Sequence, residues 1–160
     1  MIRIAQPADF DFIYELYMHP QVNPFLLYEP MERESFKPIF EDLLERAVKF
    51  LYGNEVNPSI GMFKLDPLTH RTDHIAYLGG LAIHPDFSGK GHGRQMIKEI
   101  LAYAKQQGLL RIELSTATIN QKAIRLYEKM GFEKEGILRK YTHLKKEGKF
   151  LDEVSMAYLF

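Results

Sequence analysis

The stretch Leu78-Gly79-Gly80-Leu81-Ala82-Ile83-His84-Pro85-Asp86-Phe87-Ser88-Gly89-Lys90-Gly91-His92-Gly93-Arg94-Gln95-Met96-Ile97 decides the fold. It reads as an apolar strand, a polar turn with glycines at 89, 91 and 93, and the opening of a helix. Glycine leaves the backbone bare, so a ligand approaches its N–H groups closely. The first N–H groups of the following helix have no intrahelical acceptor, and the helix dipole is positive at that end. Together these features suit an anion, most naturally a phosphate. Lys90 and Arg94 add positive charge beside it. Two phosphate patterns fail here: Gly91, not Ser or Thr, follows Gly89-Lys90, and Arg94 stands where a dinucleotide fingerprint needs glycine.

Working outward, Ile75 to Ile83 is nearly continuously apolar, as a central buried strand should be. Gly79 and Gly80 inside it predict a bulge or a close backbone approach. The helix after the turn carries Met96, Ile97, Ile100, Leu101 and Ala104 on one face and stops at Gly108. Leu110, Ile112, Leu114 and Thr116 then alternate as a strand, with Arg111, Glu113 and Ser115 on its other face. In Asn120-Gln121-Lys122-Ala123-Ile124-Arg125-Leu126-Tyr127-Glu128-Lys129-Met130-Gly131-Phe132, Asn120 caps a helix and Gly131 ends it. Asn120, Ala123, Ile124 and Tyr127 share one face of that helix. Glu133 to Leu144 and Phe150 to Leu159 form a closing hairpin whose tip, Lys145 to Lys149, reads as solvated.

Upstream, Ile2 to Ala5 is a short strand, and Pro7 opens a helix with Phe10, Ile13, Leu16 and Tyr17 on one side. Pro20, Pro24 and Pro30 bracket an apolar loop, Phe25-Leu26-Leu27-Tyr28-Glu29, that packs over the core or walls a substrate site. Ser35 is expected to cap a second helix with Pro38 in its first turn, and Phe36, Ile39, Phe40, Leu43, Leu44, Ala47 and Val48 form its stripe. Two strands follow, near Lys49–Gly53 and Ser59–Leu65. His70 and His74 lie four apart, but no carboxylate or cysteine set completes a metal site, and no metal is expected.

Composition narrows the function classes. The 160 residues are 46% apolar and carry a formal charge of +0, so bulk electrostatic binding to nucleic acid or to an anionic membrane is not indicated. The chain has no cysteine, which excludes disulfides, thiolate metal sites and a cysteine nucleophile. Met1 to Ala5 lacks a signal-peptide core, and no run is long enough to span a bilayer, so a cytoplasmic protein is expected.

The glycine turn and the Asn120 helix together resemble the GCN5-related N-acetyltransferase (GNAT) superfamily. Its loop pattern is Arg/Gln-x-x-Gly-x-Gly/Ala after a strand ending in an apolar-His/Asp-Pro segment. Gly91-His92-Gly93 matches the end of that pattern, and Ser88 departs from its start. Asn120 to Phe132 is close to the superfamily's Asn-x-x-Ala-x-x-Leu-Tyr-x-x-x-Gly-Phe, and the two motifs stand in the right order about thirty residues apart. Gly148 to Ala157 resembles the tail of its amino-acid and antibiotic acetyltransferases, so the likeness covers Ile75 to the C-terminus in residues and the preceding part in element order. The resemblance implies one domain over residues 1–160 with an α+β, three-layer fold. Its mixed, mostly antiparallel sheet would have about seven strands with a splayed central pair, flanked by about four helices. It also implies acetyl-CoA as the acyl donor. Ser88, Gly89, Lys90, Gly91, His92, Gly93 and Arg94 would hold its phosphate, and Leu81, Ala82 and Ile83 would contact pantetheine. Asn120 and Ala123 would border the cofactor, and the Tyr127 hydroxyl would sit near its sulfur.

Acetyl transfer from a thioester needs a deprotonated amine, support for the developing oxyanion and a proton for the thiolate. Tyr127, with an ordinary pKa near 10, is protonated at neutral pH and is the expected general acid. A backbone N–H around Leu81 to Ile83 polarises the carbonyl, and direct attack in a ternary complex is the simplest mechanism. Leu78 occupies the position where many relatives place a basic glutamate, which leaves Glu113, His84 or a water chain as base. Phe25, Tyr28 and Glu29 are the expected acceptor-binding residues. The expected activity is acetylation of a primary amine on a small molecule: an amino acid, a polyamine or an antibiotic-like compound. A protein or peptide acetyltransferase and a non-catalytic acyl-CoA sensor are the alternatives on the same fold. A homodimer is compatible with either kind of enzyme.

Overall fold

Alternation of burial along the strands fixes two helix layers on opposite faces of one sheet, and the computed structural model describes all residues 1–160. The elements run β1 (Ile2–Ile4), α1 (Phe10–Met18), α2 (Arg33–Glu45), β2 (Lys49–Tyr52), β3 (Gly61–Pro67), β4 (Ile75–Ile83), α3 (His92–Gln106), β5 (Arg111–Ala117), α4 (Gln121–Lys129), β6 (Glu133–Leu144) and β7 (Lys149–Leu159). They build a 7-stranded sheet in the order β1-β2-β3-β4-β5-β7-β6. All neighbours are antiparallel except β4 and β5. The mixed sheet and its four α-helices agree with the expected fold. No helix is long and apolar enough to cross a membrane.

Period-2 alternation sends Phe50, Phe63, Leu65, Ala76, Leu78, Ile112 and Leu114 to one face, where Met96, Ile97 and Ile100 of α3 and Ile124 and Tyr127 of α4 cover them. Leu51, Met62 and Ala82 point the other way, against Ile13, Leu16 and Tyr17 of α1 and Phe36 and Phe40 of α2. Two irregularities in β4 break this regular plan. Its antiparallel register with β3 pairs Met62 with Ala82 but Lys64 with Gly79, so Gly80 and Leu81 together oppose the single residue Phe63. This is the bulge that the paired glycines predict. Gly80 takes φ +54°, a conformation that costs an L side chain about 1–2 kcal/mol. Inserting a residue shifts the side-chain alternation, so Leu81 and Ile83 pack toward α3 and α4 while Ala82 joins the α1 side. The second irregularity is that β4 and β5 pair only over Ile75–Tyr77 and Arg111–Glu113. Beyond Tyr77 the facing edges of both strands separate.

Several local expectations need correction. Helix α2 starts at Arg33 with Glu32 at its N-cap, so Ser35 is not the cap and Pro38 lies in the second turn. Both Pro38 and Glu34, whose carbonyl loses its usual donor, are exposed, so water satisfies that carbonyl. Strand β3 runs two residues later than predicted. Leu110 precedes β5 and is exposed rather than part of its buried alternation. The Lys145–Lys149 tip is not simply solvated. The Lys145 N–H donates to Glu29 Oε1 at 2.8 Å, and Lys146 Nζ donates to the Pro30 carbonyl at 3.2 Å.

Lys49 is fully buried, the one charged residue type in the core. Desolvation, reinforced by the like charge of Lys64, holds its ammonium well below the ordinary lysine range. Because folding weakens the hold of Lys49 on its proton, the unfolded chain binds more protons below the ordinary lysine range, and stability falls as pH drops through that range. Lys49→Met should remove that dependence. Scanning calorimetry between about pH 6 and 9 should show a flatter profile and a neutral-pH midpoint higher by about 2–4 °C or more.

Candidate active site

The turn after β4 is built as an open row of donors. His84 caps a short 3₁₀ turn over Pro85–Phe87, its Nδ1 accepting from the Asp86 N–H at 3.2 Å. Ser88 is extended, and Gly89 and Gly91 take φ +75° and +82°. Gly91 is the N-cap of α3. The backbone N–H groups from Gly89 through Arg94 donate to no acceptor in the protein. A Cβ at Gly89 or at Gly91 would meet nothing within 4 Å, so the space in front of these amides is open. Six bare amides at the positive end of a 15-residue helix match the needs of a phosphate group.

The other residues of the motif divide by role. A Cβ at Gly93 would lie 3.3 Å from Leu126 Cδ2, so this glycine serves the contact between α3 and α4. His92 Nδ1 is 3.3 Å from the Tyr52 hydroxyl, and its ring meets Phe87 edge-on. Lys90 Nζ donates to the Asp86 carbonyl at 3.2 Å, while Arg94 is exposed and unpaired. Asn120 caps α4 by accepting from the Ala123 N–H at 3.4 Å. Leu81, Ala82 and Ile83 lie on β4 past Tyr77, along the edge that β5 leaves unpaired.

Tyr127 lies on α4 against the core, 8% exposed. Burial, with Tyr77 adding a smaller electrostatic effect, pushes its phenol above the ordinary value, so it stays protonated at neutral pH. No buried side-chain polar atom lacks a partner, so the Tyr127 hydroxyl, which has none, keeps contact with solvent. Tyr77, its electrostatic neighbour, is the residue at which β4 and β5 part.

On the α1 face of the separated strands lies a cavity of about 410 Å³. Its floor includes Gly79 and Gly80 of β4, Ser115 and Ala117 of β5, and Glu153 of β7, and the α1–α2 loop from Pro24 to Tyr28 covers it. Phe25 and Tyr28 are among the residues that line it. Glu29 does not, because its carboxylate clasps the hairpin tip and so ties the loop down over the cavity. Glu113 is also absent from the lining. Its Oε2 accepts from Arg111 Nη2 at 3.1 Å, and Arg111 is shared with Glu135, which makes Glu113 a structural ion-pair partner.

The polar groups Glu153, Ser115 and Tyr77 face the cavity from outside the glycine turn and the Asn120 helix. Glu153 Oε1 accepts from the Ser115 hydroxyl at 2.7 Å, and Oε2 accepts from the Thr142 hydroxyl. Neither donor neutralises the carboxylate. The Tyr77 hydroxyl is 3.2 Å from Ser115 Oγ and extends the chain toward β4. Tyr17 also lines the cavity, and its hydroxyl is 2.9 Å from Lys49 Nζ. Lys49 was visible in the sequence as a lysine opening an otherwise apolar strand. Glu153 carried no comparable signal, since strand faces are known only once register is fixed.

Comparison with known proteins gives this geometry its context. The model of the acetyltransferase (GNAT) family matches residues 10–132. The chain is 27% identical over 146 residues to the prophage-derived N-acetyltransferase YokL of Bacillus subtilis, covering 90% of this chain and 81% of that protein. It is 29% identical over 145 residues to the spermidine N(1)-acetyltransferase of Vibrio cholerae, covering 86% and 80%. The crystal structure of the Vibrio cholerae spermidine N-acetyltransferase in complex with CoA and spermine superposes with a TM-score of 0.87 at 25% identity, over 99% of this chain and 94% of that one. With a bulged β4, separated central strands and a bare-amide turn opening α3, the chain belongs to the GNAT family of N-acetyltransferases.

Proposed function

We propose that the protein transfers the acetyl group of acetyl-CoA to a primary amine on a small molecule bound in the cavity under the α1–α2 loop. The observation that carries this reading is that covered cavity, which lies beside the bulge of β4. A loop tied down by Glu29 and Lys146 roofs the cavity, which favours a small acceptor. Acetyl-CoA supplies the activated acyl group as a thioester. The amides of Gly89 to Arg94, with Arg94 beside them, hold its phosphate, and the free edge of β4 from Leu81 to Ile83 receives the pantetheine arm. Tyr127 donates its proton to the departing thiolate, a role supported by its unpartnered hydroxyl.

Charge in the cavity favours an acceptor with one reactive amine. Glu153 is the only carboxylate in the lining and Lys64 the only lysine. One carboxylate balances one ammonium, and a polyamine would leave further ammonium groups unpaired in a confined space. An amino-acid-like acceptor, with its ammonium toward Glu153 and an acidic group toward Lys64, matches this arrangement better. Turnover of acetyl-CoA against amino acids, polyamines, aminoglycosides and a peptide tests the reading. The best kcat/KM should fall among the amino acids and their analogues. Preference for the peptide would overturn the small-molecule assignment.

Three variants and a control examine the parts. Gly91→Val places a side chain in the open space before the amides and should weaken acetyl-CoA binding at least about tenfold by calorimetry. Gly108→Val is the control, because Gly108 has a similar φ of +78° and open surroundings at the far end of α3. It should carry the same backbone strain and keep acetyl-CoA affinity. Tyr127→Phe should lower kcat by about 10²–10⁴-fold with acetyl-CoA affinity unchanged. Glu153→Gln should raise acceptor KM by about tenfold or more and leave acetyl-CoA KM alone.

A further inference from the structure

The one group that neither the GNAT motifs nor the proposed reaction accounts for is the buried pair Tyr17–Lys49. Lys49 has no exposed surface and no carboxylate partner. Its Nζ lies 2.9 Å from the Tyr17 hydroxyl, 3.5 Å from the Gly80 carbonyl oxygen and 4.5 Å from the centre of the Tyr17 ring. Placing an ammonium in an apolar core costs several kcal/mol unless it is paired. A methionine would fill the same volume without that cost, so the amine is unexplained as a packing element.

Position gives the pair its meaning. A Cβ on Gly80 would lie 2.7 Å from the Tyr17 hydroxyl oxygen and 3.2 Å from Lys49 Nζ. The two groups therefore rest directly on the bulge, and they explain why residue 80 has no side chain. Tyr17 and Gly80 both line the acceptor cavity, whereas Lys49 lies behind them. The surroundings are poor in other titratable groups. Tyr28 of the covering loop meets the Tyr17 ring edge-on at 5.2 Å. Lys64 of β3 is the cross-strand neighbour of Lys49 and leans toward Asp66 at 3.9 Å. α2 contributes the Phe36 ring, and β4 contributes only backbone. Burial and Lys64 both favour the neutral amine, whose lone pair is free to take a proton.

We infer that Tyr17 and Lys49 form the proton-accepting relay that activates the acceptor amine, Tyr17 touching the amine and Lys49 acting through it. This rests on the acetyltransferase reading above. The acceptor's ammonium gives one proton to the Tyr17 oxygen as the Tyr17 proton passes to Lys49 Nζ. The products are a neutral acceptor amine, an unchanged phenol and a lysine ammonium. The overall reaction turns an ammonium and a thioester into an amide, a thiol and one proton. Lys49 holds that single proton and returns it to solvent between turnovers, while the second proton lost by the acceptor nitrogen replaces the one that Tyr127 gives to the thiolate. No oxidant, metal or covalent enzyme adduct is required. The relay fills the place that Leu78 leaves without a carboxylate and that Glu113, bound to Arg111, does not fill.

Two measurements test it. The first needs no turnover: the ¹³Cε resonance of Lys49, assigned by its loss in Lys49→Met, should show a neutral amine at pH 7. A resonance showing the ammonium form at that pH overturns the relay, whatever the enzyme's substrate. The second is the pH dependence of kcat/KM on the best acceptor. Lys49→Met and Tyr17→Phe should each lower kcat by about 10²–10⁴-fold and abolish the acidic limb, with acetyl-CoA affinity retained and Lys49→Met at least as thermally stable as the parent. The double variant should be no worse than the more damaging single one, as for groups acting in series. If either single variant keeps kcat within about threefold, or if Glu153→Gln rather than Lys49→Met moves the acidic limb, the relay is wrong while the acetyltransferase reading stands. A parent that binds acetyl-CoA but turns over no acceptor instead refutes that reading, and the lysine resonance still decides whether Lys49 accepts protons.

Discussion

One extra residue in β4 governs the rest of the molecule. Because Gly80 and Leu81 oppose the single Phe63, the alternation of the strand changes partway along its length. A regular strand here would have carried one side-chain set to one face throughout and would have paired fully with β5. The bulged strand instead packs Leu78, Leu81 and Ile83 on the α3–α4 side while placing Ala82 on the α1 side. The increased local twist that accompanies a bulge fits the loss of pairing between β4 and β5 after Tyr77. Two strand edges left without partners inside a sheet are costly unless something bonds to them. The family's extended acyl carrier is a chemically suitable partner for such an edge.

Polar residues around that irregularity meet four different fates, decided by burial and partners rather than residue type. Glu113 is fixed by Arg111 and has no free role. Glu29 accepts a backbone N–H from the hairpin tip and works as a tether, which converts a proline-bracketed loop into the roof of a cavity. Glu153 receives only hydroxyl donors and keeps its charge available to the cavity. Lys49 is the opposite case, an amine buried without a counter-charge and held against one phenol. Each buried group without full pairing costs stability, and such costs gather where a protein does chemistry.

Helix ends and glycines carried local information faithfully. The bare turn from Gly89 to Gly91, the Asn120 cap and the end of α4 near Gly131 each follow from short-range sterics and hydrogen bonding, which a short segment encodes by itself. The same locality explains the failures. Ser35 has a cap residue's chemistry, but the cap falls three residues earlier, at Glu32, and the helix that follows packs Phe36 and Phe40 against the α1 side of the sheet. Leu110 continues an apolar alternation on paper, yet β5 begins only at Arg111, where pairing with β4 starts.

The sequence by itself determined the fold class, the family and the amide turn, because hydrophobic period and glycine placement are properties of contiguous residues. It also marked β4 as the strand that departs from regularity. Only the tertiary structure decided which side chains share the cavity. Glu153 reaches Ser115 across 38 positions of sequence, Lys49 reaches Tyr17 across 32, and Glu29 reaches Lys145 across 116. Such meetings depend on strand order and register, and a slip of one residue would turn Lys49 or Glu153 to the opposite face of the sheet.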